Sequence, residues 1–378
     1  THFSDLMSES VEHNFIVGIF GENLEHNKLI GQALGAPGTK SDIQFYNRLD
    51  AELNQVFCAL TPLDYPDRMK PFLQTLVLTN IHILVIDLEI GLNAIAGEII
   101  VGMDLFHQLY NTQDLVIISG ISLKNEWELL DLRDKIKKIL DTTSLKDTQI
   151  IDLRIKEDYI KLKKKIIELH LQSREVNVEI NGITKILIDH AFPVKGIGTV
   201  ILGIIKEGRI STGQMLELTG YNGPAKKVII RSIQKHDRDF KTAIKGDRVG
   251  LALKGNISAE DISRDNILIK QGSYKSENQI QAKVFINQFY KPKNKTIQPG
   301  NGIQYNAIVD LKSAPFKFIN GEEILSGSTG VVDMKFDKLL YHNGSGLKGI
   351  ITDFNRFDNK LRIIGYFNQL LNQKDLNS

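Results

Sequence analysis

The stretch "IDHAFPVKGIGTVILGIIKEGRISTGQMLEL", residues 188–218, decides the fold. Its apolar runs, "GTVILGII" and "QMLEL", have strand length and are separated by glycine and polar residues, with no helical spacing. Gly196 and Gly198 permit a tight turn into the next strand, and Gly208 and Gly213 close later turns, because glycine reaches positive φ at no steric cost. The pattern extends outward, upstream through "VNVEI-NG-ITKI" and downstream through "AKKVIIRSIQ", "DRVGLALKG" and "NILI". Short strands at regular spacing with turn signals between them predict an antiparallel barrel over residues 176–273.

The polar run "QGSYKSENQ" (271–279) reads as a linker. Beyond it, "QIQAKVFINQFY", "IQYNAIVDL", "TGVVDMKF", "LKGIITDF" and "LRIIGYF" predict a second barrel over 274–378. Before residue 175 the texture differs. "FIVGIF", "ILVID" and "LVIISG" have the composition of buried parallel strands, and they alternate with the helical patterns "NEWELLDLRDKIKKIL" and "EDYIKLKKKIIELHLQ". That alternation predicts a βαβ domain over 1–175. The lysines of the last helix read as a solvated face or, more sharply, as a phosphate-contacting one.

Composition narrows the partners. The 378 residues suffice for two or three domains, and a formal charge of +2 confines any nucleic-acid contact to a local patch. The single cysteine, Cys58, rules out an intramolecular disulfide and fits a reducing compartment. The most apolar stretch, 72–103, is interrupted by Asn80, His82, Asp87 and Glu89, and the N-terminus lacks a signal-peptide pattern. A cytoplasmic protein with no membrane and no DNA partner is expected. No Cys/His spacing suits zinc and no Ser-His-Asp context is present, so neither a metal nor a cofactor is expected.

One α/β domain followed by two barrels, with the string 188–218 continued by "VIIRSIQKHDRDFKTAIKGDRVGLALKG" (228–255), resembles the selenocysteine-specific SelB branch of the EF-Tu-like translation GTPases. "ITDFNRFDNKLRIIGYF" (351–367) is similar to SelB domain III. The resemblance covers essentially the whole chain, strongly after residue 183. It implies a GTPase-like α/β domain with degenerate motifs followed by EF-Tu domains II and III, with no fourth domain expected.

Within that resemblance, "GENLEHNK" (21–28) stands where the phosphate loop G-x-x-x-x-G-K-[S/T] belongs. Gly21 matches. His26 replaces the second glycine, which lets phosphate approach the backbone; Asn27 replaces the lysine, and Lys28 the hydroxyl that binds Mg²⁺. "DYPDR" (64–68) stands at D-T-P-G-H: Asp64 and Pro66 persist, Asp67 replaces the glycine that contacts γ-phosphate, and Arg68 replaces the histidine. "SGIS" (119–122) follows "LVII" where the base-reading N-K-x-D belongs, without its carboxylate. Residues 35–64 leave little room for a switch I loop, with Thr39 as a candidate remnant. Four broken motifs together imply a pseudo-GTPase with no catalytic residue.

The resemblance also implies an aminoacyl pocket. Asp189 and His190 match its Asp-His pair and Arg248 its arginine, a cationic pair suited to an anion. A strand-end cap is the plainer reading of the same residues. Phe192 is expected in the core and His236 at the surface. In "FYKPKNK" (289–295), Tyr290 is a candidate for base stacking, with Lys291 and Lys293 for phosphate contact, against a merely solvated loop. The expected function is that of a non-hydrolysing elongation-factor-like protein binding RNA, most plausibly the aminoacyl or acceptor end of tRNA, with the ribosome as a further partner. The alternatives are an active but atypical GTP-binding factor and a ribosome- or protein-interaction regulator.

Overall fold

The computed structural model describes residues 13–50, 55–174, 182–221, 223–356 and 360–372. The upstream strand expected at "VNVEI" (176–180) lies outside them. The N-terminal domain runs β1 (His13–Gly21), α1 (Leu24–Leu34), β2 (Ala36–Lys40), β3 (Ile43–Asp50), β4 (Gln55–Pro62), α2 (Met69–Leu78), β5 (Ile81–Asp87), α3 (Ala94–Tyr110), β6 (Gln113–Ser119), α4 (Leu129–Leu140), β7 (Gln149–Asp152) and α5 (Tyr159–Arg174). The sheet order is β2-β3-β4-β1-β5-β6-β7. The strands from β4 to β7 pair in parallel, and β2 and β3 add an antiparallel edge. α2, α3 and α4 cover one face through Phe72, Ile99 and Leu132, while α1 and α5 cover the other through Ile30, Leu34 and Ile166. Cover on both faces explains why every residue of β5, "IHILVID", is buried, polar His82 included.

The first barrel contains β8 (Lys185–Val194), β9 (Gly198–Glu207), β10 (Arg209–Ser211), β11 (Met215–Thr219), β12 (Lys226–Lys235), β13 (Arg238–Phe240), β14 (Thr242–Ile244), β15 (Arg248–Gly255) and β16 (Ile267–Ile269). Pairing runs β11-β16-β8-β9-β15-β12, and β12 returns to β11, closing the ring. Gly208 has φ +71°, and a Cβ there would lie 1.9 Å from the Ile183 carbonyl oxygen, so this turn requires glycine. The second barrel contains β17 (Lys275–Ile286), β18 (Thr296–Ile297), β19 (Gln304–Val309), β20 (Lys312–Gly321), β21 (Ile324–Leu325), β22 (Thr329–His342), β23 (Lys348–Thr352) and β24 (Ile363–Gln369). It closes as β17-β22-β20-β19-β23-β24. The expected linker is shorter than its polarity suggests: Lys275 to Glu277 already pair with β22. These residues lie ahead of the first buried position of the strand, Ile280, so they carry no apolar alternation.

Apolar surface joins all three units. Ile16, Ile43, Phe45, Leu60 and Leu78 of the sheet domain cluster with Leu187, Ile204 and Ile267 of the first barrel and Leu311 of the second. On the other side, Ile308, Ile350 and Ile363 of the second barrel join the core under α2 and α3. Polar ties reinforce the first of these seams. Asn14 Nδ2 donates to Asp247 Oδ1 at 2.6 Å, and Gln74 Nε2 donates to the Leu311 carbonyl at 2.9 Å. Among the described residues no helix is long and apolar enough to cross a membrane.

Candidate functional site

At the C-terminal ends of β1, β5 and β6 a doubly wound sheet presents its ligand crevice. Here the crevice is filled by its own side chains. β1 ends at Gly21 and α1 begins at Leu24, so only Glu22 and Asn23 separate them. The second half of the segment aligned with a phosphate loop, residues 24–28, therefore lies in the start of a helix. Asn23 caps that helix, its Oδ1 accepting from the His26 N–H at 3.2 Å, and its Nδ2 donates to Asp87 Oδ2 at 2.7 Å. His26 Nδ1 and Ser119 Oγ share a hydrogen bond of 2.7 Å. Asn27 is buried and donates from Nδ2 to the Gly21 carbonyl at 2.9 Å. Lys28 is half-exposed and faces Glu25, 3.9 Å away.

The neighbouring motifs are equally occupied. In "SGIS", Gly120 has φ +69°, and a Cβ there would sit 2.1 Å from Asp87 Oδ1. Asn125 closes the loop after β6 by donating to the Gly120 carbonyl and accepting from the Ser122 N–H, both at 2.8 Å. In "DYPDR", Asp64 and Arg68 pair with each other at 3.3 Å on the surface, and Asp67 is exposed. Tyr65 turns inward, stacks on Phe72 and donates to Glu98 Oε1 at 2.9 Å. Burial, then the Glu98 charge, holds its hydroxyl well above the usual tyrosine range. Arg362 of the second barrel grips Glu98 and donates from Nη1 to the Pro66 carbonyl at 2.9 Å. The segment expected near a γ-phosphate is thus tied to the second barrel. Thr39 lies in strand β2, one residue-gap after α1, and not in a loop of switch length.

The Asp189–His190–Arg248 set does converge. Asp189 Oδ1 accepts from His190 Nδ1 and from Arg248 Nη2, the latter at 2.9 Å. The convergence lies at the seam between the first barrel and the sheet domain rather than on an open barrel surface. The Arg248 guanidinium stacks 3.9 Å from the centre of the Phe45 ring, and His190 Nε2 lies 3.3 Å from Ser41 Oγ. Asp189 Oδ2 and Arg248 Nη1 are buried without a hydrogen-bond partner among the described residues, leaving one acceptor and one donor direction open. Cys58 lies close by, its thiol pushed up to about 12, chiefly by burial.

Two sequence expectations need correction. Tyr290 is only 3% exposed and packs in the core of the second barrel, with Arg356 over its ring, so it cannot stack on a base. Lys291 and Lys293 are exposed as expected. Phe192, assigned to the core, is 38% exposed. It lies two residues past His190 on β8, on the same strand face, and so extends the seam to solvent. Sequence reasoning also missed Arg264. Its guanidinium donates to both carboxylate oxygens of Asp42 (2.8 and 3.1 Å), to Gln74 Oε1 (2.8 Å) and to Ser41 Oγ (3.2 Å), and its Nε donates to the Asp189 carbonyl (3.2 Å). Although burial pushes the Asp42 carboxyl up, the Arg264 guanidinium pulls it below its ordinary range. No motif signals such a residue, because its side-chain partners lie about two hundred positions away in sequence.

The family model describing elongation factor Tu domain 2 matches residues 198–264. An uncharacterised protein of Methanocaldococcus jannaschii is 33% identical over 297 residues, covering 79% of this chain and 83% of that one. The selenocysteine-specific elongation factor of the same organism is 34% identical over 213 residues, 55% of this chain and 44% of that factor. The chain belongs to one family with that uncharacterised protein, and it is similar to SelB and to EF-Tu-like translation factors. SelB from Methanococcus maripaludis in complex with the GTP analogue GppNHp superposes with a TM-score of 0.79 at 24% identity, covering 97% of this chain and 81% of that one. A bacterial selenocysteine-specific elongation factor gives 0.75 at 18% identity, over 94% and 58%. Both likenesses describe the fold, an α/β domain followed by two closed six-stranded barrels.

Proposed function

We propose that this SelB/EF-Tu-like chain is a pseudo-GTPase that binds RNA without a nucleotide switch, holding the acceptor end of a tRNA along the seam between the sheet domain and the first barrel. The observation that carries the proposal is the hydrogen-bonded filling of the crevice. Asn23 bonds Asp87, His26 bonds Ser119 and Asn27 bonds the Gly21 carbonyl where a nucleotide would need backbone N–H groups, a lysine and a metal-binding hydroxyl. Inserting a triphosphate would break these bonds and place its charge beside Asp87. With no γ-phosphate to order a switch, the apolar seams and the Arg264 and Arg362 clamps would hold one domain arrangement throughout.

Recognition then falls to fixed surfaces. Arg248 supplies a permanent charge, and His190 a ring oriented by Asp189. Phe192 offers an exposed ring at the rim, with exposed Lys195 in the adjoining turn available for phosphate. Filter binding of aminoacylated and deacylated tRNA at fixed salt tests this reading. A preference for the aminoacylated form that disappears in Arg248→Ala and Phe192→Ala supports it. Equal binding of both forms by the unaltered protein refutes it.

A further inference from the structure

The three most exposed large apolar side chains among the described residues lie in one short segment of the sheet domain. Leu123 is 88% exposed, Trp127 75% and Leu130 73%. The segment is helical from its start. The Glu126 N–H donates to the Ser122 carbonyl and the Glu128 N–H to the Asn125 carbonyl, both at 2.9 Å. A 3₁₀ turn covers Glu126–Glu128, and α4 continues it from Leu129. Spacing of i, i+4, i+7 therefore sets the three side chains on one stripe. The opposite face of α4 packs on the sheet through Leu132, Ile136 and Leu140. The Trp127 indole is exposed yet held, its Nε1 donating to the Lys124 carbonyl at 3.1 Å. A ring fixed in this way loses little freedom on docking, and tryptophan is the residue type most enriched among interface anchors.

The order Leu123, Trp127, Leu130 reads nearly the same in both directions. Turned end for end, one stripe lays Leu123 on Leu130 of a second copy and Trp127 on its own counterpart. The flanking charges follow the same symmetry. Lys124 and Asp131 share one flank at i, i+7, so the same turn sets Lys124 beside Asp131 of the second copy, twice over. Within the chain Asp131 pairs with Lys135 at 2.6 Å across an exposed helical turn, a tie of little strength. On the other flank Glu126 would approach its own counterpart, but Arg154 Nη2 lies 3.2 Å from Glu126 Oε2 and offsets that charge.

We propose that the Leu123–Trp127–Leu130 stripe is a self-association surface, on which a second copy of this chain docks about a two-fold axis through Trp127. Two-fold pairing requires a surface complementary to itself, and the apolar and the charged positions both meet that requirement. The three side chains present roughly 400–500 Å² of apolar surface, the size of the largest patch on a typical monomer. A standard interface buries about 800 Å² per partner, so the dimer is a weak one that forms at micromolar concentrations. The surface lies apart from the Asp189 seam, and its test is independent of the tRNA reading above.

Sedimentation equilibrium of the full chain, from low to several hundred micromolar at pH 7, tests the surface. A monomer–dimer equilibrium is expected. Trp127 is the single tryptophan, so its emission should shift to the blue over the same range as the ring leaves water. Leu123→Gln/Leu130→Gln should weaken the dimer about tenfold or more, since each copy loses two apolar contacts. Leu339→Gln, at an exposed leucine on β22, should associate like the unaltered protein. The unfolding midpoint of each variant reports that it folds. Lys124→Glu and Asp131→Lys should each weaken association alone, because like charges then meet across the axis. Mixing the two variants should restore it, since the mixed dimer regains both opposite-charge contacts. A chain that stays monomeric overturns the proposal and leaves the stripe to a different protein. A dimer indifferent to the paired leucine changes, or charge variants that associate no better mixed than apart, also overturns it.

Discussion

Replacing Arg264 with Met should loosen the sheet domain from the first barrel. The change keeps most of the side-chain volume and removes five hydrogen bonds, two of them a bidentate pair with Asp42. Stripping one partner from a buried pair costs about 3–5 kcal/mol, mainly because the other charge stays buried alone. Arg264 and Asp42 keep 17% and 20% of their side-chain surface exposed, so water partly re-solvates the orphaned carboxylate and about 2–3 kcal/mol is the better expectation. Urea unfolding at pH 7 of Arg264→Met, Asp42→Asn and the double variant isolates the pair, with an expected coupling of about 1–2 kcal/mol. The sign of the pH dependence follows from the lowered Asp42 carboxyl. Its stabilisation is fully present above the ordinary value of 3.8 and is lost as pH falls through the lower folded-state value. The coupling between the two positions should therefore fade in strong acid, while the loss of the Arg264 bonds to Gln74, Ser41 and the Asp189 carbonyl persists in Arg264→Met. A loss under about 0.5 kcal/mol for Arg264→Met, or strict additivity of the two single changes, would refute the clamp.

Arg248→Ala should weaken aminoacylated tRNA by about 1–3 kcal/mol at fixed salt and deacylated tRNA less; equal losses would assign Arg248 to backbone contact or folding. Gly120→Ala should destabilise the sheet domain by about 1–3 kcal/mol in thermal unfolding, since a Cβ at φ +69° meets the Asp87 carboxylate. Asp114→Asn should steepen the acid limb of stability by about one proton. Burial raises Asp114 to about 6 and lowers His82 to about 4, so their opposed proton uptake nearly cancels between these values; the variant leaves the His82 loss, which grows as pH falls below 6.5, unopposed. An unchanged limb in acid titration monitored by circular dichroism would contradict that assignment.

Much of the fold was legible because its signals are local. Glycines at fixed turns and short apolar runs marked the barrels, and the alternation of "ILVID" and "LVIISG" with amphipathic segments marked the parallel sheet. The broken crevice was legible for the same reason, since a phosphate loop is a contiguous motif. How the crevice is filled was not, because the Asn23–Asp87 and His26–Ser119 bonds join residues 64 and 93 positions apart. Tyr290 and Phe192 exchanged their expected places for a related reason. Tyr290 sits in a lysine-rich run yet turns into the second barrel, whereas Phe192 sits in an apolar run at the strand end, past the barrel's buried layer. Local composition does not report which side of a strand end faces a neighbouring domain.

The proposed function requires the domain arrangement to stand without a nucleotide. Isothermal titration of the full chain with GTP, GDP and GppNHp in the presence of Mg²⁺ tests it most directly, with the domain interfaces followed in parallel by small-angle scattering. No binding heat at physiological nucleotide concentrations and superimposable scattering curves are expected. Micromolar GTP affinity that disappears on perturbing residues 21–28, together with a nucleotide-dependent change in scattering, would contradict it.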